Sequence, residues 1–165
     1  MYIYELIALK IFLLSKSESA KLSERLASAW PHTKLPKVKN IKVYEIEPGK
    51  RLLSADTMIA AEVGDIIVPF LGKQDNLQHF PSVTIDSGAV KFVCNGAKVM
   101  RPGIVNFDTF NKGEIVRVRE QTRGRSLAVG VAMDHSEAAK AMSKGYVIDT
   151  VHYVSDKIWE AYKRI

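Results

Sequence analysis

The chain has 165 residues, 47% of them hydrophobic and 25% charged, the ordinary balance of a globular protein that can bury a core. Its formal net charge of +6 and isoelectric point of about 9.4 favour a polyanionic partner without requiring one. A single cysteine, Cys94, excludes an intramolecular disulfide and argues against a zinc site.

The opening stretch YIYELIALKIFLLS is apolar, but Glu5 and Lys10 interrupt it and it is shorter than the roughly 20 residues a spanning helix needs. No basic n-region or small-residue cleavage site frames it, so it is expected as a strand or helix packed into the core, with no membrane role. Ser15 and Glu18 then have the spacing of a capping box, which predicts a helix to about Ala29 with Leu22, Leu26 and Ala29 inward and Lys21, Glu24 and Arg25 in water. Pro31 ends it. The basic segment from His32 to Asn40, with Lys34, Lys37 and Lys39 around Pro36, is expected as an extended surface loop, either a phosphate contact or a solvated linker.

From Ile41 the period changes to two. Ile41, Val43, Tyr44 and Ile46 predict a strand that turns at Pro48-Gly49 and returns over Arg51 to Ser54. Thr57 to Glu62 and Ile66 to Leu71 predict two further strands around a Val63-Gly64-Asp65 turn. The first half is therefore a small sheet backed by the helix that follows Ser15. The polar run Gly72 to Asn76 reads as a domain junction, with the boundary near His79. Residues 1–80 carry 11 Lys or Arg against 9 Asp or Glu, and residues 81–165 carry 13 against 9, so the excess positive charge is larger in the second part.

Val83 to Ile85 predicts a strand, and Asp86 or Ser87 caps a short helix over Ala89 to Asn95. Gly96 stands where that helix must stop, a position that favours φ > 0, and Pro102-Gly103 fits the central pair of a turn with glycine second. Strands are expected over Ile104 to Phe107, from Ile115 through Val118, over Leu127 to Met133 as a strand buried on both faces, and over Tyr146 to Val154. Turns fall at Lys112-Gly113-Glu114 and Arg123-Gly124, a helix spans Ser136 to Ser143, and Ser155 or Asp156 caps a last helix with Ile158, Trp159 and Tyr162 on one side. The count suggests a small, mainly β barrel with short helices.

Catalytic patterns do not emerge. The four histidines are scattered without ligand spacing, and Asp134-His135-Ser136 is a run of neighbours with Ser136 better placed as a helix cap. Neither a phosphate-binding G-x-x-x-x-G-K-[ST] loop nor a dinucleotide fingerprint is present. Cys94, beside Phe92 and Val93 with no His near it in sequence, reads as core packing and not as a nucleophile. No enzyme activity, cofactor or metal is expected.

The run DSGAVKFVCNGAKVMRPG from Asp86, with GYVIDTVHYVSDKIW from Gly145, resembles the PUA domain of pseudouridine synthases and archaeosine transglycosylases, over about residues 80–160. The whole chain is similar to the archaeal relatives of the malignant-T-cell-amplified translation factor. That resemblance implies an α+β protein: a small α/β pre-PUA domain over residues 1–78, then a mainly β PUA pseudo-barrel with short helices over 79–165, C-terminal helix included.

It also implies RNA contact on the face made by the first PUA helix, the strand after it and the last strand. Carried over residue by residue, that face holds Gly88, Ala89, Lys91, Gly96, Lys98, Arg101 and His152. The glycines would allow close backbone approach, Lys91 and Lys98 supply charge, and Arg101 would clamp a phosphate bidentately. Each has a plainer reading: glycines for helix-end geometry, lysines as solvated surface, His152 paired with a neighbouring carboxylate. Arg117, Arg119, Arg123 and Arg125 form a basic hairpin, either a second phosphate track or a charged edge that deters sheet association.

The expected function is RNA binding in the translation apparatus of the cytoplasm, with tRNA, rRNA or the small ribosomal subunit as target and a translation factor as a further partner. The alternatives are an accessory subunit that brings RNA to a modification enzyme, and a protein-interaction module.

Overall fold

The computed structural model describes residues 10–33, 38–56 and 58–165; residues 1–9, 34–37 and 57, on which parts of the readings above fall, lie outside them. The first layer is β1 (Lys10–Leu13), α1 (Lys16–Ala29), β2 (Lys42–Glu47), β3 (Lys50–Ala55), β4 (Met58–Val63) and β5 (Ile66–Pro69). The capping box forms as expected: the Glu18 N–H donates to Ser15 Oγ at 3.2 Å and the Ser15 N–H to Glu18 Oε2 at 2.8 Å. Leu22 and Leu26, four apart, put one helix face on the sheet, and Trp30 ends the helix by donating its indole N–H to the Ile67 carbonyl at 2.9 Å.

The five strands are antiparallel in the order β1-β2-β3-β4-β5. The register sets Glu45, Arg51 and Glu62 in one row and Tyr44, Leu52 and Ala61 on the opposite face. Buried Glu62 takes Arg51 at 3.3 Å and Arg25 of α1 at 2.9 Å, so α1 lies over the first of these faces. β1 differs from expectation. It is an edge strand whose Ile11, Phe12 and Leu13 are 53%, 41% and 67% exposed.

The second layer contains α2 (Gln74–Leu77), β6 (Ser82–Ile85), α3 (Ser87–Val93), β7 (Val99–Met100), β8 (Ile104–Phe107), β9 (Ile115–Glu120), β10 (Ser126–Ala132), α4 (Ser136–Ala141), β11 (Tyr146–Tyr153) and α5 (Lys157–Tyr162). Its six strands run β7-β11-β10-β9-β6-β8, with β6 parallel to β9 and the other pairs antiparallel. This is the strongly curved, barrel-like sheet expected, around Val83, Ile85, Val99, Val116, Val118, Ala128 and Ile148. Gly130 marks a register shift in β10, where an added Cβ would lie 2.3 Å from the Asp149 carbonyl oxygen.

Two local readings are corrected. Arg101–Gly103 is a single 3-10 turn in which Gly103 does not need φ > 0; an added Cβ there would meet Ala89 Cβ at 2.9 Å, so the glycine serves close packing of α3. Ser136 is the first residue of α4 and not its cap; its buried Oγ accepts from the Phe110 N–H at 3.1 Å. The polar run from Gly72 to Asn76 lies between β5 of the first sheet and β6 of the second and leads into α2, whose Leu77 is fully buried.

α5 follows the second sheet in sequence but packs on β2 and β3. Ile158 and Ala161 join the core of the first layer, together with Ile115 and Val129 from β9 and β10. Asp156 caps it, accepting from the Trp159 N–H at 2.8 Å. The two layers thus share one continuous apolar core at their junction. No helix among the described residues is long and apolar enough to cross a membrane.

Candidate nucleic-acid interface

Asp86 opens α3 by accepting the Ala89 N–H at 3.0 Å, which leaves the first turn, with Gly88, on the surface. A Cβ added at Gly88 would make only an ordinary contact, 3.4 Å from Asp86 Oδ1, whereas Gly96 is tightly enclosed. At φ +85° it lies where an added Cβ would come within 2.8 Å of the Tyr153 ring, so any other residue there would be both strained and crowded. Thr150 Oγ1 donates to the Ala97 carbonyl at 2.9 Å. Tyr153 and Thr150 of β11 therefore hold the loop that carries Lys98.

Along this loop the exposed side chains pair cation with ring. Lys98 Nζ sits 5.4 Å from the Tyr146 ring centroid and Lys91 Nζ 5.1 Å from that of Phe92. Phe92, Met100 and Tyr146 are 57%, 50% and 52% exposed, and Met100 is the strand partner of Tyr146. Because the Ala97 N–H donates to the Phe92 carbonyl, these residues form one strip across α3, β7 and the start of β11. Sequence reasoning missed the three apolar members. The signal for two of them was a phenylalanine directly before buried Val93 and a tyrosine at the start of its strand, directly before buried Val147.

Two residues assigned to the face by resemblance are engaged within the fold. Arg101 donates through Nη1 to the Ile104 carbonyl at 3.1 Å and through Nη2 to the Lys140 carbonyl at 3.3 Å, with its guanidinium 5.0 Å over the Phe107 ring. Its donors tie the 3-10 turn to α4, so a bidentate phosphate clamp is not their geometry. His152 is fully buried, and the carboxylate alternative is the arrangement seen: Nδ1 is 2.7 Å from Asp156 Oδ2, Nε2 accepts the Leu71 N–H at 3.3 Å, and the ring stacks on Phe70 at 5.4 Å. An accepting Nε2 places the proton on Nδ1, facing the carboxylate. Burial pushes the Asp156 carboxyl up, but the His152 hydrogen bond and the Trp159 and Tyr153 N–H groups outweigh it and hold the group below its ordinary value.

The basic hairpin divides in two. Arg117 Nε donates to the Phe80 carbonyl at 3.2 Å and Arg119 Nε to the Gly124 carbonyl at 3.0 Å, while Arg123 and Arg125 are exposed at the tip. β9 and β10 are interior strands of their sheet, so the arginines do not guard an edge. Cys94 is half-buried at the C-terminus of α3 and not in the core, and burial raises its thiol, which disfavours the reactive thiolate. Among the described residues no group of three or more His, Cys, Asp or Glu is placed to hold a metal ion.

The PUA domain family model matches residues 81–154. An uncharacterised protein of Methanocaldococcus jannaschii is 33% identical over 156 residues, 91% of this chain and 95% of the relative. Translation machinery-associated protein 20 of Saccharomyces cerevisiae is 29% identical over 134 residues, 76% of this chain and 74% of its own length. Malignant T-cell-amplified sequence 2 of Homo sapiens is 33% identical over 88 residues, 48% of this chain and 46% of that protein. Among solved structures, a hypothetical protein from Pyrococcus horikoshii superposes with a TM-score of 0.75 at 28% identity, over 92% of this chain and 99% of the other. A PUA domain from Aeropyrum pernix shares the fold, with a TM-score of 0.70 at 24% identity over 96% and 95% of the two chains. The two-layer architecture, the barrel-like second sheet and these similarities lead to one assignment: the chain belongs to the PUA-domain proteins, with relatives among the translation machinery-associated and malignant T-cell-amplified proteins.

Proposed function

We propose that this protein binds RNA as a positioning factor of the cytoplasmic translation apparatus, with tRNA or the small ribosomal subunit as its target and no chemistry of its own. PUA domains are RNA-binding modules, and this chain's relatives include translation machinery-associated proteins. The observation that carries the reading is the strip in which Lys91 and Lys98 stand over exposed Phe92 and Tyr146. Exposed rings offer faces on which unpaired bases stack at about 1–3 kcal/mol each, and lysines beside them neutralise phosphates. Met100, half exposed beside Tyr146, adds apolar surface to the same strip.

The test is binding of fluorescent tRNA and of purified small subunits across a salt series, with Lys91→Ala/Lys98→Ala as the variant. The variant is expected to bind more weakly and to lower the salt slope by roughly 0.7 for each single-strand phosphate it no longer neutralises. No salt-sensitive binding by the wild-type chain would overturn the reading.

A protein contact is a second reading, favoured by β1, a sheet edge with three exposed apolar residues. A partner translation factor docking there would survive Lys91→Ala/Lys98→Ala and be released by Phe12→Lys in a pull-down with the purified partner.

A further inference from the structure

Four arginines lie in and beside one hairpin, and the structure treats them in two ways. Arg117 and Arg119 spend Nε–H groups on backbone carbonyls, while Arg123 and Arg125 project from the tip. The tip itself is built. The Glu120 carboxylate accepts the backbone N–H groups of Thr122 at 2.6 Å, Arg123 at 2.9 Å and Arg125 at 3.0 Å. The Gly124 N–H returns to the Glu120 carbonyl at 3.1 Å, and the Glu120 N–H donates to the Arg125 carbonyl at 3.0 Å. Gly124 adopts φ +69°, with Arg119 Nη2 only 2.7 Å from where a Cβ would stand.

These bonds hold the Glu120 carboxyl below its ordinary value, chiefly through the Arg125 and Arg123 N–H groups. The carboxylate takes backbone donors that water would otherwise satisfy. Its effect is to fix the backbone from which two guanidinia project, cutting the ordering cost of any bond they make to a ligand. The position is also defined: the Gln121 N–H donates to the Ile85 carbonyl at 3.1 Å, which seats the tip beside the start of α3, the helix that carries Lys91 and Phe92.

We propose that the β9–β10 tip is a phosphate-binding element for polynucleotide, separate from the α3–β7–β11 strip, in which Arg123 and Arg125 touch phosphate and Glu120 is a positioning residue. The proposal rests on the RNA-binding reading above and adds a second point of attachment to it. Two planar guanidinia on a fixed loop suit the forked geometry of phosphate oxygens, and a strand that crosses the surface of α3 reaches the tip next.

Glu120 makes the idea testable, because charge and geometry predict opposite signs. Glu120→Gln adds one positive unit to the patch. If the tip acts only as diffuse charge, the variant binds tRNA more tightly. If the carboxylate arranges the tip, the variant binds more weakly, since an amide NH2 then faces backbone donors.

The experiment titrates the full chain with fluorescent tRNA across a salt series, using wild type, Lys91→Ala/Lys98→Ala, Arg123→Ala/Arg125→Ala, Arg123→Lys/Arg125→Lys, Glu120→Gln, and Glu120→Gln combined with Arg123→Ala/Arg125→Ala. Expected are a salt slope lower by roughly 0.7–0.9 for each phosphate the alanine pair no longer neutralises, weaker binding by the lysine pair despite its retained charge, and weaker binding by Glu120→Gln. Glu120→Gln should have no further effect in the alanine-pair background, which a general loss of folding would not reproduce. An unchanged slope in the alanine pair, with Lys91→Ala/Lys98→Ala still impaired, overturns the tip alone. Tighter binding by Glu120→Gln overturns its positioning role, and absence of tRNA binding by the wild-type chain overturns both readings.

Discussion

His152→Ala separates the role implied by resemblance from the role seen in the fold. The ring is fully buried between Phe70 and Asp156, so truncation removes a stacked partner, a 2.7 Å hydrogen bond and the volume between the layers. Large-to-alanine changes at closed sites cost roughly 2–5 kcal/mol, and a value of about 3 follows if the Phe70, Trp159 and Tyr162 cluster relaxes only in part. For a chain of this length each kcal/mol moves Tm by roughly 2–4 °C, so the melting temperature should fall by about 6–12 °C. Differential scanning calorimetry reads that shift, and tRNA titration well below the transition reads affinity. The expectation is a large thermal loss with affinity retained. A Tm within about 2 °C of wild type together with weakened tRNA binding would return His152 to the RNA face.

Asp156→Asn tests the same junction by pH. The carboxyl is held below its ordinary 3.8 in the folded state, so its contribution to stability is full above that value and is lost as pH falls through the lower folded value. The variant should be less stable near neutrality and show a flatter acid limb in urea titrations from pH 6 to 2; a parallel limb would sink the assignment. Gly96→Ala combines φ +85° with a ring 2.8 Å from the new methyl, and a loss of about 2–4 kcal/mol in chemical denaturation is expected from strain and overpacking together. Phe92→Ala and Tyr146→Ala should leave the melting temperature nearly unchanged while weakening tRNA binding by about 1–3 kcal/mol for each ring on which a base stacks. Unaltered affinity in both would remove the strip from the interface.

Much of the local structure was legible from residue types, because its causes are local. The Ser15–Glu18 capping box, the Asp86 cap, the positive φ at Gly96, the turns at Gly113 and Gly124, and the period-two strands depend on neighbours within a few residues. The resemblance to PUA domains likewise needed only the order of residues. What local reasoning could not supply was where each side chain spends its polar atoms. Arg101 and Arg125 look alike as letters, yet one is bonded to carbonyls from two elements and the other stands in water, which depends on strands and helices distant in sequence.

Short-range sterics, hydrogen bonding and hydrophobic period set the elements with their caps and turns, and residue order alone carries the family resemblance, so these are readable in the amino-acid sequence. Packing of the whole chain is what puts α5 in the first layer, His152 between the layers, and Phe92 and Tyr146 on the surface beside lysines. Burial and partner choice are properties of the whole packed chain, fixed by pairings as distant as Leu71 with His152, and no local window contains them.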